Sequence, residues 1–247
     1  MSRWLAPFLG ALSLLALWQL VVTLFHVPRY IVPAPLGVLG DLVREFPLIV
    51  SNAVPTAEES VFGFLLGNAA AVVVAIVFVA NRYLREAYFP VVLFFNTIPI
   101  LALAPIIVLI LGLGMFPKIV VAATICFFPT LVNMIRGLQS PAENELDLMR
   151  SLAASRVQIF WRLRLPRSMP YLFSSLRIAA QTSVIGALVG EWIGTNQGLG
   201  ALILESTFNY HAERLYASVF VSSLLAIVFF AVVSAVELRL ARFTVAR

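Results

Sequence analysis

The sequence predicts an all-α, polytopic membrane protein of about six transmembrane helices. Three observations lead there. Of 247 residues, 61% are hydrophobic and 12% charged, with a mean hydropathy of +0.98, whereas a soluble domain carries about 25% charged residues. Several apolar runs reach the roughly 20 residues that cross a bilayer core. Those runs lack the ten-residue alternation of barrel strands, so their backbone groups must be satisfied within helices.

Six spans are expected, at Trp4–Phe25, Ser60–Ala80, Phe89–Leu111, Ile119–Leu138, Met169–Trp192 and Leu215–Leu238. The first follows one positive charge, outruns the roughly 7–15 residues of a signal-peptide core, and has no A-x-A cleavage pattern after it. It reads as an uncleaved span. The connection over residues 26–59 is rich in proline, which argues for turns and a short interfacial helix near Leu36–Phe46. Pro99, Pro105 and Pro129 fall inside predicted spans, where each removes a backbone donor and can bend its helix. The reading is of one membrane domain, residues 1–247, with no internal repeat.

Basic residues set the orientation. With the N-terminus in the cytoplasm, Arg3, Arg82, Arg85, Arg136, Arg150, Arg156, Arg162, Arg164, Arg167, Arg239, Arg242 and Arg247 fall inside. Arg29, Arg44, Lys118 and Arg214 fall outside, and Arg177 lies within a span. Both termini are therefore placed in the cytoplasm. The pI of about 9.9 then reflects this bias and not a nucleic-acid surface.

Catalytic patterns are missing. There is no G-x-x-x-x-G-K-S/T phosphate loop and no H-E-x-x-H. Cys126 is the single cysteine, which excludes an intrachain disulfide and a Cys-rich metal site and suits a small buried hydrophobe. His26 and His211 fall near the external face. Ser174, Ser175 and Ser183 have no His or carboxylate at a catalytic spacing. A protein that moves something, with energy supplied by another chain, is favoured over an intramembrane enzyme or a self-sufficient secondary carrier.

One stretch interrupts the apolar pattern. "DLMRSLAASRVQIFWRLRLPRSMP", residues 147–170, holds five arginines on the cytoplasmic side. As one helix over 143–163, it places Leu146, Met149, Leu152, Ala153, Val157 and Phe160 on one face. Arg150, Ser151, Ser155, Gln158 and Arg162 take the other, and Pro166 and Pro170 end it. Such a helix suits a membrane surface or a docking partner.

The stretch resembles the "EAA" loop of permease subunits of bacterial ATP-binding cassette importers. Asp147 stands at the Glu position, Leu148 and Met149 at the two Ala positions, and Ala153 at the Gly. Leu163, Leu165 and Pro166 match the closing aliphatic-x-Leu-Pro. "VPAPLGVLGDL", "SVFGFLLG", "TIPILALAPIIVLILGLGMFPKI" and "LPRSMPYLFSSLRIA…GEWIGTNQGLGALI" resemble the nitrate, sulfonate, taurine and pyrimidine-precursor importer permeases. The resemblance implies a type I importer fold in the bacterial cytoplasmic membrane. The loop, about 140–168, would form two short coupling helices docked on an ATPase. The partners implied are a second copy, two ATP-binding subunits and an extracytoplasmic binding protein. ATP and magnesium would sit on the ATPase, and this chain would carry no cofactor. The solute would be small and polar or anionic. Ala153 then poses a question: glycine accepts φ > 0 freely and alanine does not, so the bend either avoids that conformation or is strained.

Polar residues inside spans are costly and face a bundle interior or water. Asn96, Thr97, Thr130, Asn133, Gln181, Thr182, Ser183 and Glu191 are the candidates. Asn96, Thr97, Asn133, Gln181 and Thr182 are assigned to the solute path, with Asn96 and Gln181 foremost. Glu191 is read as gate or external-loop architecture, and Arg177 as a structural pair or a water-facing residue and not as an anion site.

Overall fold

A computed structural model of the protein describes residues 5–193 and 195–245. Arg3, Trp4, Gly194 of the GEWIG stretch and Arg247 lie outside those residues, as does the side chain of Arg242. Among the described residues every regular element is helical. The elements are α1 (Leu5–Leu24), α2 (Pro35–Arg44), α3 (Phe46–Ala80), α4 (Arg82–Thr97), α5 (Ile100–Leu111) and α6 (Met115–Leu138). There follow α7 (Glu143–Ser151), α8 (Arg156–Ile159), a π-helical turn (Phe160–Arg164), α9 (Leu165–Glu191), α10 (Leu199–Phe208) and α11 (Ala212–Val245).

Five helical runs are long and apolar enough to cross a membrane, and a sixth candidate is broken. The expected third span, Phe89–Leu111, is α4 and α5 meeting at 102°. Proline chemistry makes the break. Ile98 precedes Pro99 and is extended, with φ −72° and ψ 126°, because the proline ring crowds the helical region of its predecessor. Pro99 is the first residue outside α5, while Pro105 and Pro129 are carried inside α5 and α6.

Two other expectations are corrected. α2 is the expected short helix after the first span, but residues 46–59 are the first turns of α3 and not loop. Pro55 is carried within that helix. At the start of α9, Pro166 and Pro170 do not stop the helix. Arg156–Glu191 is one 36-residue run that passes through the π turn. Pro166 lies inside that run, just after the π turn, and Pro170 lies within α9. The wider π turn takes up the mismatch just before it.

α6 is the axis of the bundle, packed between α3 and α9. Lipid gives little hydrophobic drive between helices, so close contact of small residues holds them. A Cβ added at Gly67 would stand 2.3 Å from the Ala123 carbonyl oxygen, and one at Gly63 would stand 2.4 Å from Ala122 Cβ. On the α9 side a Cβ at Gly186 would stand 2.6 Å from Ala122 Cα. Toward one end, Ala71, Ala75, Leu131, Met134 and Leu138 close the core. Toward the other, Val38, Ile49, Leu199, Leu202 and Ala217 join α2, α3, α10 and α11. α1 buries only Val22 and is apolar all round.

Charge is buried where α3, α6 and α9 meet. Lys118 Nζ lies 2.7 Å from Glu59 Oε1, both inaccessible. The Glu59 carboxyl adjoins that of Glu191. Glu191, 1% exposed, accepts from Thr56 Oγ1 at 2.6 Å and from the Gly200 N–H at 2.6 Å. Thr56 accepts from the Leu199 N–H at 2.8 Å, and Asn52 Oδ1 from the Gly198 N–H at 2.9 Å. These bonds seat α10 on α3 and α9. At the surface, Arg214 of α11 pairs with Glu45 between α2 and α3.

Two outcomes test this packing. Gly67→Val should force α3 off α6, at a cost of about 1–3 kcal/mol for overpacking. The check is the melting temperature of the detergent-purified protein, and an unchanged value would contradict the contact. The second concerns Asp41 on α2, whose Oδ2 is buried without a partner. Desolvation, then the Glu45 charge, hold this carboxyl above its ordinary range. A raised acid keeps its proton in the folded state at pH values where the unfolded chain has lost it. Stability from this group therefore falls as pH rises through the folded value. Asp41→Asn should raise the melting temperature at neutral pH, with the gain shrinking toward about pH 4. A gain independent of pH would refute the desolvation argument.

Candidate functional site

Two features concentrate the chemistry: the loop between α6 and α9, and the cleft between α4 and α6. The loop is a pair of short helices with a strained joint. α7 ends in a Schellman arrangement, in which the Ala153 N–H donates to Arg150 O at 2.9 Å and the Ala154 N–H to Met149 O at 3.0 Å. That geometry needs a left-handed residue, and Ala153 supplies it at φ 55°. The strained alternative is the one realised. Ser155 then caps α8, accepting from the Gln158 N–H at 3.3 Å while its own N–H donates to Gln158 Oε1 at 2.7 Å.

The break at Ala153 resets the helical register, so a single apolar face across 143–163 does not exist. Leu146, Met149 and Phe160 turn partly inward, whereas Leu152, Ala153 and Val157 are exposed. Leu148, Leu152, Val157 and Trp161 are 62%, 71%, 65% and 62% exposed and form the outer apolar surface of the loop. Asp147 is exposed and pairs with Arg150 at 2.8 Å. Leu163 and Leu165 are half-buried, and Pro166 is exposed. Arg164 donates to the Leu138 carbonyl at 3.3 Å and Arg167 pairs with Glu145, so the loop is fastened to the ends of α6 and α9.

The cleft opens at the α4–α5 break. It is a cavity of about 530 Å³ whose walls include Phe95, Asn96, Thr97, Thr124, Phe127 and Phe128. Asn96 and Thr97 both reach it, and Asn96 is exposed. Gln181 is exposed on α9. The other polar candidates turn toward protein. Thr130 donates to Asn68 Oδ1 at 2.6 Å, Asn133 to Pro129 O at 2.8 Å, Thr182 to Ile178 O at 3.2 Å and Ser183 to Ala180 O at 3.0 Å. Asn133 and Thr182 are half-buried and lie outside the cavity walls. Arg177 pairs with Glu237 of α11 at 3.2 Å. Cys126 is fully buried. Among the described residues no three His, Cys, Asp or Glu side chains gather to hold a metal.

Residues 63–243, from mid-α3 to the last helix, match the family described as binding-protein-dependent transport system inner membrane component. The chain belongs to that family. This inner-membrane component is 33% identical to a probable ABC transporter permease protein of Haemophilus influenzae, over 89% of each chain. It is 30% identical to the formylaminopyrimidine transport permease protein ThiX of Halalkalibacterium halodurans, over 94% of this chain and 93% of that one. The names of further relatives extend to riboflavin, aliphatic sulfonate and taurine transport. A structure of the MetNI methionine ABC transporter shares the fold, with a TM-score of 0.59 at 21% identity over 77% of this chain and 91% of that one.

The permease therefore has a multi-pass inner-membrane fold, as its sequence implied. Sequence reasoning passed over Thr124, Phe127 and Phe128, which a 3.6-residue count along α6 from Thr124 brings to one side. It also passed over the Ser155-x-x-Gln158 cap, a readable helix-start signal.

Ala153 gives the decisive test of the loop. Ala153→Gly removes left-handed strain of about 1 kcal/mol and should leave transport intact. Ala153→Trp, at an exposed position, should fold and insert normally yet overfill the joint between the short helices. ATPase co-purification and substrate-stimulated ATP hydrolysis should both fall. Normal transport by Ala153→Trp with the ATPase bound would remove this loop as the docking element.

Proposed function

We propose that the whole chain acts as one membrane domain of an ATP-driven importer and passes a small polar solute by alternating access. A second copy completes the path, two cytoplasmic ATPase subunits dock on the loops, and an extracytoplasmic binding protein delivers the solute. ATP and magnesium belong to the ATPase, and this chain does no covalent chemistry. Both termini face the cytoplasm.

The observation that carries the reading is mechanical. The exposed apolar surface of the loop sits at the start of a single 36-residue helical run that ends at Glu191. A helix transmits a push along its axis because its hydrogen bonds are internal. When ATP closes the ATPase pair, Leu148, Met149 and Ala153 would move with the docking cleft. The segment Leu163–Leu165–Pro166 would pass that movement into α9, which carries Gln181 and Thr182 past the path and Glu191 to its external end. Asn96, Thr97 and Asn133 lie on the helices facing that movement. α4 has no buried residue, which supports a second copy as the other wall of the α4–α6 cleft.

Topology and stoichiometry test this together. In a Cys126→Ser background, Ser155→Cys should be shielded from an impermeant thiol reagent in intact cells, and Asn209→Cys should react. The reverse pattern would invert the orientation. Native mass spectrometry of the complex should count two copies of this chain with two ATPase subunits. One copy beside a different membrane subunit would refute the homodimer.

A further inference from the structure

We infer that the solute passing the α4–α5 break is an uncharged, flat, ring-bearing molecule with hydrogen-bonding edges, and not an inorganic or sulfonate anion. This rests on the α4–α6 cleft being the path. The cavity has the size of a small-molecule site, for which about 300–1,000 Å³ is usual. Its walls are uncharged: three phenylalanines and three neutral polar side chains stand among aliphatic residues such as Val92, Leu103 and Ile125. Phe95, Phe127 and Phe128 offer ring faces, on which a planar heterocycle stacks. Asn96 offers both a donor and an acceptor, and Thr97 and Thr124 keep hydroxyl lone pairs while donating to Phe94 O and Val120 O.

Counter-charge is what the cleft lacks. An anion stripped of water needs a cation beside it, or its desolvation goes uncompensated. None of the residues lining the cavity is charged. Lys118 on α6 is held by Glu59 at 2.7 Å, and Arg177 on α9 faces Glu237 at 3.2 Å. Arg85 and Arg136 line a separate cavity further along α4 and α6, Arg136 standing 12 residues past Thr124, about 18 Å of helix. The helix ends at the break add no net charge either, because the C-terminus of α4 and the N-terminus of α5 meet there and their dipoles oppose.

The test reads occupancy directly, without the binding protein's own selectivity. In the complex with its ATPase, carrying Cys126→Ser and Thr124→Cys, the rate of labelling by a small maleimide is measured. The probes are formylaminopyrimidine, taurine and butanesulfonate at equal concentration. Formylaminopyrimidine should slow labelling several-fold, and the other two should not. Equal labelling with and without formylaminopyrimidine, or protection by butanesulfonate instead, overturns the inference while leaving the cleft as a wet path. No labelling with or without nucleotide means the cleft is dry, and then the path reading itself falls. Phe128→Cys on the same wall gives the same measurement if Thr124→Cys does not assemble.

Discussion

The contact among Lys118, Glu59 and Glu191 is the constraint on which the rest of this bundle depends. An ammonium inside a membrane protein is tolerable only against a carboxylate with good geometry, and the 2.7 Å contact to Glu59 provides it. Glu59 takes that ammonium, so the adjoining Glu191 must be satisfied otherwise. Thr56 and the Gly200 N–H do this for Glu191. Because these groups come from α3, α6, α9 and the turn into α10, their bonds lock the mutual height of four helices. Gly198 is part of the condition. A Cβ there would stand 2.1 Å from Glu191 Oε1, and the backbone at φ 109° is one that other residues resist.

Once that height is set, the small residues fall opposite one another. Gly63 and Gly67 meet Ala122 and Ala123, and Gly186 meets Ala122 from the other side. A shift of one residue along α6 would bring the branched side chain of Val121 or Thr124 against one of these glycines. The same locking makes α9 a stiff element between two fixed ends. Its C-terminal end is held by Glu191, and its N-terminal end continues through the π turn into the loop. The strain at Ala153 fits this arrangement. A left-handed joint lets α7 fold back while α8 keeps the direction of α9, and the chain accepts alanine there at a small cost.

The break at Ile98–Pro99 belongs to the other half of the design. It turns α5 away from α4 and leaves the α6 face carrying Thr124, Phe127 and Phe128 uncovered. Acids and bases are paired where α3, α6 and α9 pack together, and the cavity at the break is lined by uncharged side chains.

The sequence by itself determined the membrane class, the positions of most spans and the amphipathic loop that interrupts them. Apolar runs are local properties, and the bilayer reads them locally. The bend at Ala153 came from the loop's resemblance to a family pattern and not from periodicity. The start of α3 was missed because prolines that break helices in water are carried in this bundle, as Pro55 is. The continuity of α8 with α9 was missed for the same reason at Pro166 and Pro170. The single helix across 143–163 failed because periodicity counts residues without seeing a left-handed joint. Only the tertiary structure decided the partner of Lys118, since Glu59 is 59 residues away and neither residue's neighbours reveal the other. It alone showed which polar side chains bond their own helix and which face open space. Those choices depend on the rotation of each helix about its axis, and packing against neighbours sets that rotation, not the local chain.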